Sequence, residues 1–146
     1  VANGDIDSPA KAAAVLEHTG ADALMIGRAA MGRPWIFRDI AHYLAHGRLP
    51  PPPAVRDVQR WLTDHLHQHY ALYGEFTGVR SARKHIGWAL RELPGGEAFR
   101  AEMNRIDDCA AQLRAVGEWF AQLGQRHERL PRIAAAANDD LIELSA

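Results

Sequence analysis

Two glycine-containing loops near the start of the chain carry residue types that bind anions. Asn3, Gly4 and Asp5 follow one short apolar stretch, and Gly27 and Arg28 follow a second. Glycines at the ends of strands let backbone N–H groups approach a phosphate closely, and an arginine adds charged donors. The alternative is that both glycines serve tight turns and that Arg28 lies on the surface. Loop chemistry alone supports the two interpretations about equally.

A cationic stretch in the middle of the chain is a second candidate site. Four basic residues lie between Glu75 and Glu92 with no acidic residue among them: Arg80, Arg83, Lys84 and Arg91. Their spacing places them along one side of a helix, with His85 and Trp88 at its border. Such a face suits RNA, whose phosphates pair with cations and whose bases stack on aromatic rings. The simpler alternative is a solvated helix face with Trp88 in the core.

The histidines do not predict a metal site. His65, His67 and His69 alternate along the chain, but residues two apart do not share a helix face. His42 and His46 stand four apart and lack a third ligand nearby. We therefore expect no metal in this chain.

Cys109, the one cysteine of the 146 residues, is expected to be a core residue because it lies in an apolar stripe. A lone cysteine excludes an intramolecular disulfide and is typical of a reducing compartment. The neighbouring Asp107 and Asp108 are better explained as a helix cap than as an acid–base pair. We assign no catalytic residue in this chain.

Composition places the chain among globular proteins. Hydrophobic residues make up 47% and charged residues 24%, and no apolar run approaches the roughly 20 residues that cross a bilayer, so we expect no membrane partner. The net charge of -1 argues against a generally polycationic nucleic-acid binder but leaves room for a local basic face.

Four consecutive prolines within residues 49–53 separate the chain into two parts, each of which must position one of these candidate sites. The prolines predict a stiff linker between the two parts. Residues 1–48 are expected to be α/β, with a helix capped by Ser8 and ended by Gly20, a strand at 21–27, one tight turn, and a helix that ends at Gly47. Residues 54–124 are expected to form four helices in a small antiparallel bundle. Residues 125–146 are expected to be a flexible tail, so that the chain is mainly α.

The four predicted helices are separated by recognisable breaks. The first ends near Gly74, and Thr77 is expected to cap the second, which runs to about Leu93. The Leu-Pro-Gly-Gly sequence at 93–96 then precedes a short third helix, and Asp107 or Asp108 caps the fourth.

Three motifs, "ANGDI", "GADALMIGRAAMGRPWIF" and "RSARKHIGWAL", closely resemble the C-terminal part of bacterial tRNA-dihydrouridine synthases, the B-type branch in particular. The resemblance runs from Val1 to about Leu123. It implies the last βα units of an FMN-binding TIM (β/α)8 barrel, followed by a helical tRNA-binding domain. It also implies a cytoplasmic oxidoreductase that reduces uridine in tRNA to 5,6-dihydrouridine, with NADPH as the source of the hydride.

The same resemblance implies roles for individual residues. The loop after strand seven, which contacts the ribityl-phosphate part of FMN, corresponds to Asn3, Gly4 and Asp5, and the phosphate clamp after strand eight corresponds to Gly27 and Arg28. The RNA-facing stretch corresponds to Arg80, Arg83, Lys84 and His85. The catalytic cysteine of the family belongs to a part of the barrel that precedes this sequence, and Cys109 is no substitute. The chain alone is therefore expected to be inactive.

Two rival interpretations accompany this one. Another FMN-binding barrel, for example of the dihydroorotate-dehydrogenase type, shares the phosphate clamp but does not need the basic helix after a proline linker. A non-enzymatic helical adaptor is a rival from a different class. Because two strands cannot close a barrel, residues 1–48 are expected to be disordered, packed on the bundle, or paired with another copy of the chain.

Overall fold

The structure, a computed structural model, describes residues 1–132 and is mainly helical. The helices are α1 (Pro9–Thr19), α2 (Ile36–His46), α3 (Val55–Leu90), α4 (Gly96–Met103) and α5 (Cys109–Arg126), and a 3₁₀ turn lies at Arg28–Ala30. No helix within the described residues is both long enough and apolar enough to cross a bilayer.

The predicted ends of α1 and α2 are confirmed. The Ser8 side chain accepts a hydrogen bond from the backbone N–H of Lys11, and Pro9 occupies the first helical position. Gly20 and Gly47 end the two helices in the left-handed region, with φ values of 62° and 68°. The two helices enclose a small apolar cluster of Ile6, Ala12, Ile36 and Ile40.

The strand predicted at residues 21–27 is reduced to one isolated bridge. Ala2 pairs in parallel with Leu24 through two backbone hydrogen bonds, from Ala2 N to Ala23 O (2.8 Å) and from Met25 N to Ala2 O (2.9 Å). Two short segments without flanking strands have no further ladder partners, so the pairing does not propagate. The parallel direction still brings the loops that follow both segments to the same end.

Helix α3 is a hairpin of two antiparallel arms. Gly74 has φ 71° and ψ 176°, outside the helical region, and separates a first arm (55–73) from a second arm (75–90). The break predicted near Gly74 is therefore confirmed. The predicted cap at Thr77 is wrong, because the helix resumes directly after the glycine.

Helices α4 and α5 pack on this hairpin. Asp108 caps α5 by accepting a hydrogen bond from the N–H of Ala111, as one of the two predicted alternatives. One apolar core joins the two arms to α4 and α5, with Leu66, Ile86, Met103, Val116 and Phe120 among its most buried members.

Residues 127–132 are fixed against the proline linker, which corrects the expectation of a flexible tail from residue 125. Helix α5 continues to Arg126, and then Val55 N donates to Glu128 O (2.9 Å) and Leu130 N donates to Pro53 O (3.0 Å). Leu130 is 7% exposed and belongs to the main core. We call residues 127–132 the strap. Residues 133–146 of the predicted tail lie outside the described residues.

Arginine side chains bind the carbonyl groups of the linker. A proline has no N–H to donate, but its carbonyl oxygen still requires a donor. Arg129 donates to Pro52 O (2.8 Å) and Arg132 donates to Pro50 O (2.9 Å), both from the strap. Arg38 of α2 donates to Pro51 O (3.2 Å).

The first part of the chain packs on the second arm of α3, one of the outcomes expected for residues 1–48. A Cβ atom built on Gly32 would lie 2.3 Å from the backbone carbon of Trp88, so only glycine fits this contact. The Trp35 ring stacks on that of Trp61, with 6.1 Å between the ring centroids. A cavity of about 300 Å³ lies beside this contact.

Candidate functional site

The two loops predicted to bind phosphate lie together. The Asp5 carboxylate forms an ion pair and hydrogen bond with the Arg28 guanidinium, although the residues are 23 positions apart. Both side chains are well exposed, at 70% and 80%. Gly4 (φ 122°) and Asp5 (φ 43°) adopt positive φ values that turn the chain sharply at this point.

The surroundings of these loops fit a phosphate group. A Cβ atom built on Gly4 or on Gly27 meets no described atom within 4 Å, so space is open beside both backbones. The 3₁₀ turn begins at Arg28, and the first N–H groups of a helical turn have no partner within the turn itself. The opposing feature is the Asp5 carboxylate, which occupies the guanidinium and repels an anion.

The second predicted site contains a row of four side chains on the second arm of α3, exposed except for Trp88, which is partly buried. Phe76, Arg80, Lys84 and Trp88 recur every four residues and so share one side of the helix. The Arg80 guanidinium lies 3.7 Å from the centroid of the Phe76 ring, and the Lys84 ammonium lies 5.8 Å from that of Trp88. We call these four residues the cationic face. Cations held over aromatic rings are suited to contact phosphates and bases together.

Arg83 lies apart from the cationic face. Its guanidinium donates to the Asp107 carboxylate (2.6 Å) and to the carbonyl of Ile106 (3.0 Å), and its side chain is only 22% exposed. Its Nε atom is buried and has no hydrogen-bond partner within residues 1–132. Arg83 therefore holds the start of α5 against the second arm of α3.

His85 points to the first arm of α3. Its Nδ1 lies 3.2 Å from the Nε2 of His65, and its ring centroid is 4.9 Å from those of His65 and His69. Burial, together with the charges of His65, His69 and Lys84, lowers the pKa of His85 to about 4. Burial is also the main reason why the pKa of His69 is lowered.

The sequence pattern did not indicate this group of histidines. In the sequence, His65 and His69 are grouped with the neighbouring His67, which is exposed. In the structure, the third ring of the group is that of His85, from the opposite arm. The four-residue step from His65 to His69 was a usable signal. The position of His85 could be known only from the turn at Gly74, which sets the two arms in register.

Cys109 is only partly buried, at the start of α5, and lacks the features of an activated nucleophile. Its backbone N–H donates to the Glu75 carboxylate (3.3 Å). Burial raises the pKa of the Cys109 thiol, and the nearby charges of Glu75 and Asp108 raise it further. The thiolate is therefore disfavoured, which is the reverse of what catalysis requires.

Comparison with known proteins decides the family. The family model for dihydrouridine synthases matches residues 1–123. The chain belongs to the dihydrouridine synthase family. The match includes both loops that are predicted to bind phosphate and the cationic face, and it favours this family over the alternative of another type of FMN-binding barrel.

Curated relatives carry the name tRNA-dihydrouridine synthase B. The protein of Pseudomonas aeruginosa is 55% identical over 121 residues, which cover 83% of this chain and 36% of the relative. That of Xanthomonas campestris pv. campestris is 54% identical over 123 residues, covering 84% and 37%. That of Serratia marcescens is 50% identical over 128 residues, covering 88% and 38%. The chain thus spans little more than a third of the length of these relatives.

Proposed function

We propose that this chain is the FMN-phosphate-binding and tRNA-binding portion of a cytoplasmic enzyme that reduces uridine in tRNA to 5,6-dihydrouridine. The observation that carries the proposal is the cationic face, a surface suited to RNA. It fits the curated relatives of the chain, which are named for an activity on tRNA. The family match over residues 1–123 supports the flavin-dependent chemistry.

In this proposal residues 1–48 are the last two βα units of a TIM barrel and residues 54–124 are a small four-helix bundle. The parallel bridge between Ala2 and Leu24 supports the first assignment, since adjacent strands of such a barrel are parallel. The two arms of α3, together with α4 and α5, support the second. The strap at 127–132 extends the bundle beyond residue 124.

The phosphate of FMN would be held by the loops after the two strand segments. Gly4 and Gly27 leave room for it, Asn3 and Asp5 border the site, and Arg28 supplies the compensating charge. The chemistry that bound FMN supplies is transfer of a hydride from NADPH to the uracil ring. The contribution of this chain is to bind and orient the phosphate end, and none of its residues is assigned to proton transfer.

The tRNA backbone would be held by the cationic face. Arg80 and Lys84 contact phosphates, and Phe76 and Trp88 offer surfaces on which bases stack. Arg83 and His85 belong to the same RNA-facing stretch but act through the fold: Arg83 anchors α5, and His85 lies between the arms of α3.

The test is fluorescence anisotropy of unmodified tRNA titrated with the 146-residue chain over a series of salt concentrations. We expect binding that weakens linearly in log salt, and an Arg80→Glu/Lys84→Glu variant that loses most of it. Two lost phosphate contacts should lower the slope by about 1.5 to 2.

The matched control is Arg105→Glu/Arg114→Glu, which makes the same charge change at exposed positions outside the cationic face. This variant should keep its tRNA affinity within a few-fold. Equal losses in both variants would mean that only net charge matters, and no binding by the wild type at low salt would mean that the cationic face is a solvated helix surface or binds tRNA only beside a complete barrel.

A further inference from the structure

Three imidazoles meet between the two arms of α3. His65 and His69 are four residues apart on the first arm, and His85 faces them from the second. One ring nitrogen of each lies within 4.8 Å of one ring nitrogen of the other two. Within the described residues this is the one group of histidines, cysteines and carboxylates with such a geometry.

The distances are close to those of a tetrahedral metal centre. A zinc ion bound to imidazole nitrogens at 2.0–2.1 Å sets neighbouring nitrogens about 3.3 Å apart. His65 Nε2 and His85 Nδ1 are already 3.2 Å apart as a hydrogen-bonded pair, and a metal ion that binds both would displace the proton between them. The remaining separations need to shorten by at most about 1.5 Å, which small rotations of the side chains achieve.

His69 is oriented by a hydrogen bond from outside the group. The Ser81 hydroxyl donates to the carbonyl of Thr77 (2.7 Å), so its oxygen accepts from the Nε2–H of His69 (2.7 Å). With the Ser81 proton on the Thr77 carbonyl, the matching tautomer of His69 carries its proton on Nε2 and its lone pair on Nδ1. Oriented, neutral imidazoles of this kind are the usual ligands of zinc.

The group is reachable from solvent. His65 is exposed, and both His65 and His85 line the cavity of about 300 Å³ beside the Trp35–Trp61 contact. The cavity leaves room for a water molecule as a fourth ligand. Lys84 is the opposing charge, since its ammonium group is close enough to His69 and His85 to disfavour a nearby cation.

We propose that His65, His69 and His85 bind one divalent transition-metal ion of the zinc type, with the fourth position open to the cavity. The ion would join the two arms of α3 at the level of the contact with residues 1–48. It is independent of the reaction proposed for the family, and none of the flavin or tRNA contacts described above requires it.

The experiment uses Co²⁺ and Zn²⁺ as probes on the chain after treatment with a chelator. We expect one equivalent of Co²⁺ to give the visible absorption bands of a four- or five-coordinate ion, and one equivalent of Zn²⁺ to displace it. Zn²⁺ should also raise the Tm of the wild-type chain, because a ligand that binds only the folded state stabilises it.

The variants His65→Ala and His85→Ala should each weaken Co²⁺ binding at least tenfold and remove the rise in Tm. Circular dichroism in the presence of chelator shows whether each variant is folded. His65 is exposed, so its variant remains informative even if His85→Ala does not fold.

Two controls distinguish this site from other histidines. His67→Ala removes an exposed ring from the same arm, and His42→Ala/His46→Ala removes a separate pair whose ring centroids are 4.4 Å apart. Both should bind Co²⁺ like the wild type. Loss of binding in either control with retention in His65→Ala overturns the proposal, as does the absence of Co²⁺ bands at one equivalent.

Discussion

Arg28 has two possible anionic partners. In the structure its guanidinium pairs with the Asp5 carboxylate, and in the proposed function it binds the phosphate of FMN. Both groups are exposed, so the ion pair itself adds little to stability and can exchange one anion for another. In the proposed function Asp5 therefore competes with the phosphate for the same donor.

This competition predicts opposite effects of two substitutions on flavin binding. Riboflavin lacks the phosphate and serves as the matched ligand for FMN. Arg28→Ala should reduce the preference for FMN over riboflavin about tenfold, since a charge-assisted hydrogen bond is lost, and Asp5→Asn should increase it a few-fold. Quenching of flavin fluorescence during titration with the chain measures both affinities.

Arg48→Ala is the control, because Arg48 is exposed and lies after α2, outside the two loops at residues 3–5 and 27–28. It should leave the preference unchanged. Equal affinity of the wild type for FMN and riboflavin would contradict the phosphate site.

The contacts of individual side chains were the feature that the sequence predicted least well. The spacing of Arg80 and Lys84 correctly indicated that they share a helix side. It could not show that Arg83, only three residues from Arg80, donates to Asp107, because that contact is between residues 24 positions apart. The same holds for His85, whose neighbours lie on the opposite arm.

At the level of elements, local sequence signals were sufficient to predict helix ends, because these depend on contacts between residues close together in the chain. Caps at Ser8 and Asp108 and the terminating glycines of α1 and α2 were predicted and observed, because each acts within four residues. The strand at 21–27 was not formed beyond one bridge, since a strand depends on partners that are distant in sequence.

The contact between Gly32 and α3 gives a prediction at this level. Gly32→Ala should lower the free energy of unfolding by about 3 kcal/mol or more, because the new methyl group combines a strained φ of 75° with overlap against the backbone of Trp88. Urea denaturation followed by circular dichroism measures the change.

Gly47→Ala separates these two causes. Gly47 has a similar φ of 68°, but a Cβ atom there meets no described atom within 4 Å. Its substitution should cost about 1 kcal/mol from strain alone. Similar losses in the two variants would show that Gly32 is not in close contact with α3.

For the whole molecule, the contact between the strap and the linker is the feature that the sequence did not predict. Four prolines predicted a stiff linker, and residues 50–53 belong to no helix or strand, but composition did not indicate that residues 127–132 return to them. The sequence of the strap shows no helix or strand pattern, and the strap forms no helix or strand in the structure. Its position depends on carbonyl groups of the linker, 77 and 82 residues earlier in the chain, and on the burial of Leu130.

The burial of Leu130 predicts a loss of stability when the strap is weakened. Leu130→Ala should reduce the free energy of unfolding by about 2 to 3 kcal/mol, as expected for a leucine removed from a packed core. Leu72→Ala, at a position 75% exposed, should change it by less than about 0.5 kcal/mol. Urea denaturation again provides the comparison, and equal effects would mean that the strap is not part of the core.

The bridge between Ala54 and Arg129 also determines how the helical part connects to other segments. The first and last residues of the helical part lie side by side, so the segment from 54 to 130 begins and ends at the same point of its surface. A unit with adjacent ends can be inserted, exchanged between proteins or circularly permuted with little disturbance of its core. The adjacent ends of the helical part are therefore compatible with circular permutation, whereas the close approach of Gly32 to Trp88 ties the same part to residues 1–48.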